Sequence, residues 1–487
     1  MTRAAEAARH DKNMVGCTLS TLGEFVATRT RCIVPTKTPD TTFELYSVPS
    51  FDTGAPEIVK GSDIGSNKQI VDGGTVLLSK INPRINRSWV VSLHTVHQKI
   101  ASTEWITFPP NAAFEPKYLT YFLRLDAVRD FLAANASGVG GSLMRVKPAT
   151  LKDYPFPLAP VDQQKSIVAE IEKQFSRLDE AVASLKRVKA NLKRYKAAVL
   201  KAGVEGRLVE TEAEIARREG RDYETGKQLL HRILETRRRQ LRDTRKYKEV
   251  AGPDTSGLPN LPDGWAWATL PQLGELNRGK SKHRPRNDKR LYGGPYPFIQ
   301  TGDVRKSEGT LTEHSQTYSD LGLMQSRLWP AGTLCITIAA NIAETGILRF
   351  SACFPDSVVG FLAGGGAITT QYVEYFLRTA RQSLERLAPA TAQKNINLDV
   401  LRSVLIPLPP SSEQHRIVAE LARRLSLAHR ALCDVEAALR RAERMRQTIL
   451  TRAYSGSLVK ASRERLGKGR LSATHGTGHT LEDGALL

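Results

Sequence analysis

Between Arg278 and Arg290 the chain sets eight basic side chains within thirteen residues: Arg278, Lys280, Lys282, His283, Arg284, Arg286, Lys289 and Arg290. Cations at that density suit contact with a row of anionic groups, phosphates above all; the plainer reading is a solvated face. A shorter basic stretch, Lys80, Arg84, Asn86 and Arg87, stands at the end of the apolar run that starts at Val76. Further on, Gln300, Thr301 and Asp303 offer amide, hydroxyl and carboxylate groups. Such groups either read hydrogen-bonding edges or cap a local turn. Asn341, after a second apolar run, is a weaker candidate of the same kind.

Catalytic constellations are missing by comparison. There is no G-x-x-x-x-G-K-S/T loop and no G-x-G-x-x-G at a strand-to-helix turn. Gly364-Gly365-Gly366 runs into Ala367-Ile368-Thr369-Thr370 with no lysine to meet a phosphate, and reads as a loop. The ten histidines form no H-E-x-x-H pair, and the acids show no metal-nuclease spacing. Five scattered cysteines (Cys17, Cys32, Cys335, Cys353 and Cys433) contain no C-x-x-C, so neither a disulfide framework nor a thiolate zinc site is expected. No metal is predicted.

The elements that must position these groups belong to a long chain. Its 487 residues exceed one ordinary core and suit two or more domains. The excess of 71 Lys plus Arg over 50 Asp plus Glu, a formal charge of +21, favours a polyanionic partner, nucleic acid before membrane. No run approaches 18 apolar residues and the first residues have no apolar core. A membrane span and a secretory signal are therefore not expected, and the chain reads as cytoplasmic.

The chain is written twice. Thr18-Leu19-Ser20-Thr21-Leu22-Gly23-Glu24-Phe25 returns as Thr269-Leu270-Pro271-Gln272-Leu273-Gly274-Glu275-Leu276 at an offset of 251. Gly73-Gly74-Thr75-Val76-Leu77 returns as Ala331-Gly332-Thr333-Leu334-Cys335, offset 258. Tyr118-Leu119-Thr120-Tyr121-Phe122-Leu123-Arg124 returns as Tyr372-Val373-Glu374-Tyr375-Phe376-Leu377-Arg378. Pro157-Leu158-Ala159-Pro160 and Gln164, Ile167, Val168 and Glu170 return 250 residues later, at Pro407-Leu408-Pro409-Pro410 and Gln414, Ile417, Val418 and Glu420. Gly206-Arg207-Leu208-Val209 pairs with Gly456-Ser457-Leu458-Val459. This many matches in one order mark two copies of one unit, a mixed domain followed by a long helix.

Each helix carries a heptad seam: Ile171, Gln174, Leu178, Ala181, Leu185, Val188, Leu192, Tyr195 and Val199, then Val418, Leu421, Leu425, Ala428, Leu432, Val435, Leu439 and Ala442. A run of roughly 40 residues is about 60 Å long. Packing the two helices on each other, antiparallel, hides both seams; packing on their own domains or homodimerisation are the alternatives. Buried strands are predicted at Val76–Ile81 and Thr333–Ile338, and helices at Tyr118–Leu125 and Val373–Leu384. The fold class is α+β. Residues 211–250, with Arg237, Arg238, Arg239, Arg242, Arg245, Lys246 and Lys248, fall outside the repeat and either lengthen or follow the first long helix. The tail from Ala461 reads as disordered.

This pattern resembles the specificity subunit of type I restriction-modification systems. The resemblance rests on Pro157–Pro160 with Gln163-Gln164-Lys165-Ser166-Ile167-Val168, and on Pro407–Pro410 with Glu413-Gln414-His415-Arg416-Ile417-Val418. It also rests on the helix exits, on Leu261-Pro262-Asp263-Gly264-Trp265 and on Tyr296–Val304, covering roughly residues 16 to 460. The first copy departs from it, with Asp162-Gln163-Gln164 for Ser412-Glu413-Gln414 and only Met14-Val15-Gly16 in place of L-P-x-G-W.

The resemblance implies target-recognition domains at 1–158 and 258–409, a central helical region at 159–257, a C-terminal one at 410–460 and a basic tail at 461–487. Each domain would read half of an interrupted double-stranded DNA site. Lys80, Arg84, Asn86, Arg87, Arg278, Lys280, Lys282, Arg284, Arg286, Lys289, Arg290, Gln300, Thr301 and Asp303 would contact it. Gln164, Ile167, Leu178, Leu185, Leu192, Gln414, Ile417, Leu425, Leu432 and Leu439 would form the spacer and dock two modification subunits. Those subunits would carry S-adenosylmethionine and methylate adenine, and restriction subunits using ATP and Mg would join them. The chain itself would bind no cofactor and catalyse nothing. Two alternatives are an orphan or decoy DNA-binding subunit and a self-contained DNA-modifying enzyme.

Overall fold

The computed structural model describes residues 17–93, 95–138, 144–241, 252–339, 342–364, 366–386 and 396–458. Met14–Gly16, Arg242, Arg245, Lys246, Lys248, Asn341, Gly365 and the tail from Ala461 lie outside them. The chain divides into two units, Met1–Lys186 with Glu436–Leu487, and Arg187–Val435.

The strands of unit 1 are β1 (Thr18–Thr21), β2 (Cys32–Ile33), β3 (Thr42–Tyr46), β4 (Glu57–Lys60), β5 (Lys68–Ile70), β6 (Val76–Ser79), β7 (Ser88–Val90), β8 (Gln98–Ser102), β9 (Trp105–Phe108) and β10 (Pro155–Leu158). They form a five-stranded sheet ordered β2-β5-β8-β3-β4, a three-stranded sheet β7-β6-β9 and an antiparallel pair β1-β10. Helices α1 (Pro116–Leu123) and α2 (Asp126–Ala134) precede the long α3 (Val161–Val204).

Unit 2 contains α4 (Glu212–Glu219), α5 (Gly226–Leu241), β11 (Ala266–Thr269), α6 (Leu270–Leu273), β12 (Gly274–Arg278), β13 (Tyr292–Phe298), α7 (Thr301–Lys306), β14 (Gly309–Leu311), β15 (Gln316–Tyr318), α8 (Asp320–Met324), β16 (Leu334–Thr337), β17 (Thr345–Leu348), β18 (Val358–Ala363), α9 (Ala367–Arg386), α10 (Leu398–Arg402), β19 (Leu405–Leu408) and the start of α11 (Ser411–Tyr454). Its sheets are β12-β18-β16-β17-β14, β13-β15 and β11-β19. The last 19 residues of α11 belong to unit 1.

The sequence repeat is a repeat of bonds. β1 pairs with β10 as β11 pairs with β19, antiparallel, Thr18 opposite Leu158 and Ala266 opposite Leu408. Tyr118 donates its hydroxyl to the Pro157 carbonyl at 2.8 Å, and Tyr372 to Pro407 at 2.7 Å. β6 lies between β7 and β9 as β16 lies between β17 and β18. Both middle strands are launched by a glycine with φ near +85°, Gly74 and Gly332, where a Cβ would be strained. Its amide donates to Val91 in one copy and to Leu348 in the other.

A proline, Pro160 in one copy and Pro410 in the other, stands between each short strand and its long helix, where it suits the entry to a helical turn. The junction is then locked by a buried glutamine. Gln164 donates to the carbonyls of Ala159 (2.7 Å) and Ala113 (2.9 Å) and accepts from the Glu115 amide (2.8 Å). Gln414 donates to Pro409 (2.9 Å) and accepts from the Thr369 hydroxyl (3.1 Å).

The long helices pack antiparallel within each unit. In unit 1 the start of α3 shares a core with the end of α11: Ile167, Ile171, Phe175 and Leu178 with Ile449, Leu450, Ala453 and Tyr454. Arg446 lies 5.1 Å from the Phe175 ring and pairs with Asp179. In unit 2 the roles reverse, Val199 joining Ile417, Val418 and Leu421. There Gly203 lies so close to Leu421 that a Cβ would be 3.0 Å from it. Leu185, Leu192, Leu425, Leu432 and Leu439 are half-buried.

The seam of α11 runs where the heptads place it, but that of α3 does not. Ala181, Val188 and Tyr195 are exposed, while Val182, Lys189 and Lys196 are half-buried. The Leu178–Leu185–Leu192–Val199 stripe is shared by two overlapping heptad faces, and the packed one carries lysines, whose methylene stems cover apolar surface.

The extension does not lengthen α3, which stops at Val204, with Gly206 at φ +70°. Instead α4 and α5 fold back onto unit 2. Thr211 and Glu214 cap α4 reciprocally, Gly220 ends it in the left-handed region, and Leu229 and Ile233 of α5 are 2% exposed in the unit 2 core. Buried Glu212 pairs with Arg416 at 2.7 Å and Arg221 at 2.8 Å. Arg238 and Arg239 remain exposed.

Candidate nucleic-acid interface

In unit 1 the turn after β6 is braced from within. Asn82 and Asn86, at φ +48° and +51°, flank one helical turn at Pro83–Ile85, and asparagine tolerates this left-handed backbone better than most residues. The Lys80 ammonium donates to the Thr103 carbonyl at 2.6 Å. Burial lowers its pKa, with the Glu104 charge acting against that shift. Arg87 pairs with Asp52 at 3.3 Å. Arg84 points outward and Asn86 is half-buried. The four residues share one turn, but Lys80 and Arg87 are held by their own unit.

The basic segment of unit 2 begins where β12 ends. Gly279 passes so close to the Phe354 carbonyl that a Cβ would be 2.3 Å from it, and the Lys280 amide bonds that same carbonyl at 3.1 Å. Arg284 donates to the Ser281 and His283 carbonyls, both at 2.8 Å. Arg286 pairs with Asp356 at 2.9 Å, and Arg290 with Asp288 at 2.8 Å. Hydrogen bonds from the Arg290 side chain and backbone, with His283 adding to them, hold the Asp288 carboxyl well below its usual range. Arg278, Lys280, Lys282 and Lys289 are exposed, and no side-chain ion pair engages them among the described residues. The segment therefore separates into arginines that hold its shape and a set of outward cations.

Asp303 closes α7: it accepts from the Gln300 amide at 2.8 Å and from the Ser315 hydroxyl at 3.1 Å. Its carboxylate is thus occupied in capping. Thr301 is half-buried at the first helical position, and Gln300 is exposed beside Gln316.

Three features lie outside the residues that the sequence singled out. The Arg327 guanidinium lies 3.8 Å from the Trp329 ring centre and pairs with Glu275, which holds that carboxyl below its usual range. Leu321, Met324 and Leu328 expose apolar surface next to the basic segment. Neither carries a periodic signal. The third was legible: the offset of 251 carries Lys280 and Lys282 onto Arg29 and Arg31, both exposed in unit 1.

Among the described residues no group of three or more His, Cys, Asp and Glu is placed to hold a metal ion. No described helix is long and apolar enough to cross a membrane.

The profile of the type I restriction modification DNA specificity domain matches residues 262–426. The type I restriction enzyme EcoBI specificity subunit of Escherichia coli is 26% identical over 365 residues, covering 71% of this chain and 67% of that protein. The EcoKI specificity subunit of Escherichia coli (strain K12) is 23% identical over 346 residues, covering 70% and 65%. A chain solved for complex assembly and conformational transition of the type I R-M system superposes with a TM-score of 0.66 at 20% identity, over 91% of this chain and 98% of that one. The HsdS subunit from Thermoanaerobacter tengcongensis gives 0.51 at 21% identity, over 91% and 97%. The two structures share the fold, and the EcoBI match, at 71% of this chain, is long enough to reach into both copies of the repeat. The chain is homologous to the specificity subunits of type I restriction-modification systems.

Proposed function

We propose that this chain is the DNA-recognition subunit of a type I restriction-modification complex and reads an interrupted target, one half with each unit. The observation that carries this reading is the repeated junction. The same strand pair, tyrosine-to-proline bond and buried glutamine recur in both units, while the sheets and loops around them differ. A common frame with unlike surfaces suits two half-sites of unlike sequence. Phosphate contacts from outward cations would set affinity and register, and contacts to base edges would select the sequence.

On this reading α3 and α11 set the gap between half-sites and dock two modification subunits. These carry S-adenosylmethionine and methylate adenine; restriction subunits driven by ATP and Mg complete the assembly. The chain contributes specificity and no catalysis. The test is a methylation map of host DNA with the chain and its modification partner co-expressed, and again with the chain deleted. An interrupted adenine-methylated motif that disappears on deletion supports the reading and yields both half-sites. A stable complex that leaves the map unchanged would instead identify a decoy subunit. Methyl transfer or cleavage by the purified chain alone would overturn the assignment of no catalysis.

A further inference from the structure

The tip around α8 in unit 2 combines exposed apolar side chains, tight hydrogen bonding and a basic surround. Met324 is 83% exposed, with Leu321 and Leu328 at 39% and 41% beside it, although these are large apolar side chains. The tip is also rigidly held. The Ser319 amide donates to Leu291 at 2.8 Å and the Ser319 hydroxyl to Arg290 at 2.6 Å. Gln325 accepts from the His283 amide at 3.1 Å, and the Ser326 hydroxyl donates to Lys280 at 2.8 Å. Gly322 packs so tightly that a Cβ would stand 2.4 Å from the Leu291 carbonyl. Every one of these contacts ends on the basic segment or on Leu291 immediately after it, so the apolar tip and the outward Lys280, Lys282 and Lys289 are tied into one surface.

We propose that Met324, flanked by Leu321 and Leu328, is a specificity-determining contact that meets base surface inside a duplex groove while the surrounding lysines hold the phosphates. The proposal rests on the reading of this chain as a DNA-recognition subunit. Charge complementarity selects the occupant: an apolar protein surface placed here would bury uncompensated lysines, whereas duplex DNA offers phosphates at the rim and apolar base surface within. A thymine methyl in the major groove or a partly unstacked step in the minor groove is the chemistry a thioether suits. The contact is therefore sequence-selective without a hydrogen bond.

The experiment uses the chain assembled with its modification subunits. It measures binding to the mapped target duplex and to a scrambled duplex across a salt series, for wild type, Met324→Ala, Met324→Gln and Lys280→Ala. Because Met324 is exposed, neither of its variants should disturb folding. Met324→Ala and Met324→Gln are expected to weaken target binding by about tenfold while leaving scrambled-duplex binding and the salt slope unchanged. They should also relax one position of the half-site read by unit 2 in the methylation map. Lys280→Ala should weaken both duplexes alike and lower the salt slope by about 0.9. Unchanged target preference in both Met324 variants overturns the proposal. So does a Met324 variant that no longer binds the modification subunits, which would assign the tip to a protein contact. If the wild-type complex binds neither duplex, the DNA-recognition reading itself fails.

Discussion

Replacing Gln414 by leucine tests whether the strand-to-helix junction is the structural unit that the chain repeats. The glutamine is 0% exposed, and its amide bridges the Pro409 carbonyl at 2.9 Å and the Thr369 hydroxyl at 3.1 Å. Leucine keeps the volume but takes both bonds away, leaving the Pro409 carbonyl without that donor in a buried site. A buried group deprived of its partner costs about 1–3 kcal/mol and the second lost bond about 1 more, so the variant should lose about 2–4 kcal/mol. Gln164→Leu removes three bonds and should cost unit 1 at least as much. Urea unfolding gives the total. Hydrogen exchange with mass spectrometry assigns it, to α9 and the start of α11 for Gln414→Leu, and to α1 and the start of α3 for Gln164→Leu. Losses below about 0.5 kcal/mol in both variants, or protection lost equally across both units, would refute the argument.

If Lys280 and Lys282 contact phosphates, the double alanine variant of the assembled complex should bind DNA with a log–log salt slope shallower by about 2, read by fluorescence polarisation. Leu421→Ala, at a side chain 0% exposed against α3, should cost about 2–5 kcal/mol in urea unfolding and loosen exchange protection around Val199 and Ile417. Tyr46 provides a pH test: burial and the hydrogen bond to Glu44 push its phenol up to about 12 from 10.0. The folded phenol stays neutral where the unfolded one ionises, so its contribution is complete below pH 10 and is lost as the pH rises towards 12. Alkaline stability profiles of wild type and Tyr46→Phe should therefore diverge in that window by up to about 1.4 kcal/mol per pH unit, and parallel profiles would exclude the tyrosine as a cause.

What the sequence disclosed follows from what is local or repeated. The glycines that launch β6 and β16, the prolines at the strand ends and the α11 seam are legible because one residue type meets one backbone demand, twice. Pairings between distant segments are not. Trp265 donates its indole N–H to Glu413 at 3.0 Å, across 148 residues. That bond accounts for a pattern visible but unexplained in the sequence: the copy lacking the tryptophan step also carries Gln163 in place of the glutamate. Basic residues are ambiguous for the same reason. Lys80 and Arg87 look like surface cations until Thr103 and Asp52 are brought to them by the fold. The choice between the two heptad faces of α3 was likewise closed to periodicity, since only the position of the partner helix decides it.

The division of labour between the two units can be argued from where they agree. Arg29 and Arg31 stand at the repeat positions of Lys280 and Lys282, and all four are exposed. Cations conserved in place across a duplication suit the part of a duplex that does not vary, its phosphates. The apolar tip has no such counterpart: unit 2 enters β16 from β15 through α8, whereas unit 1 enters β6 from β5 through the five residues Val71–Thr75, without a helix. On the proposed reading, Arg29→Ala with Arg31→Ala should therefore weaken binding to every duplex alike, with a shallower salt slope and an unchanged methylation motif. Changes at α8 should alter one half of that motif and leave the other intact. If the arginine variant rewrote the motif, the duplicated frame would be reading bases itself, and the assignment of phosphates to the frame and sequence to its insertions would have to be given up.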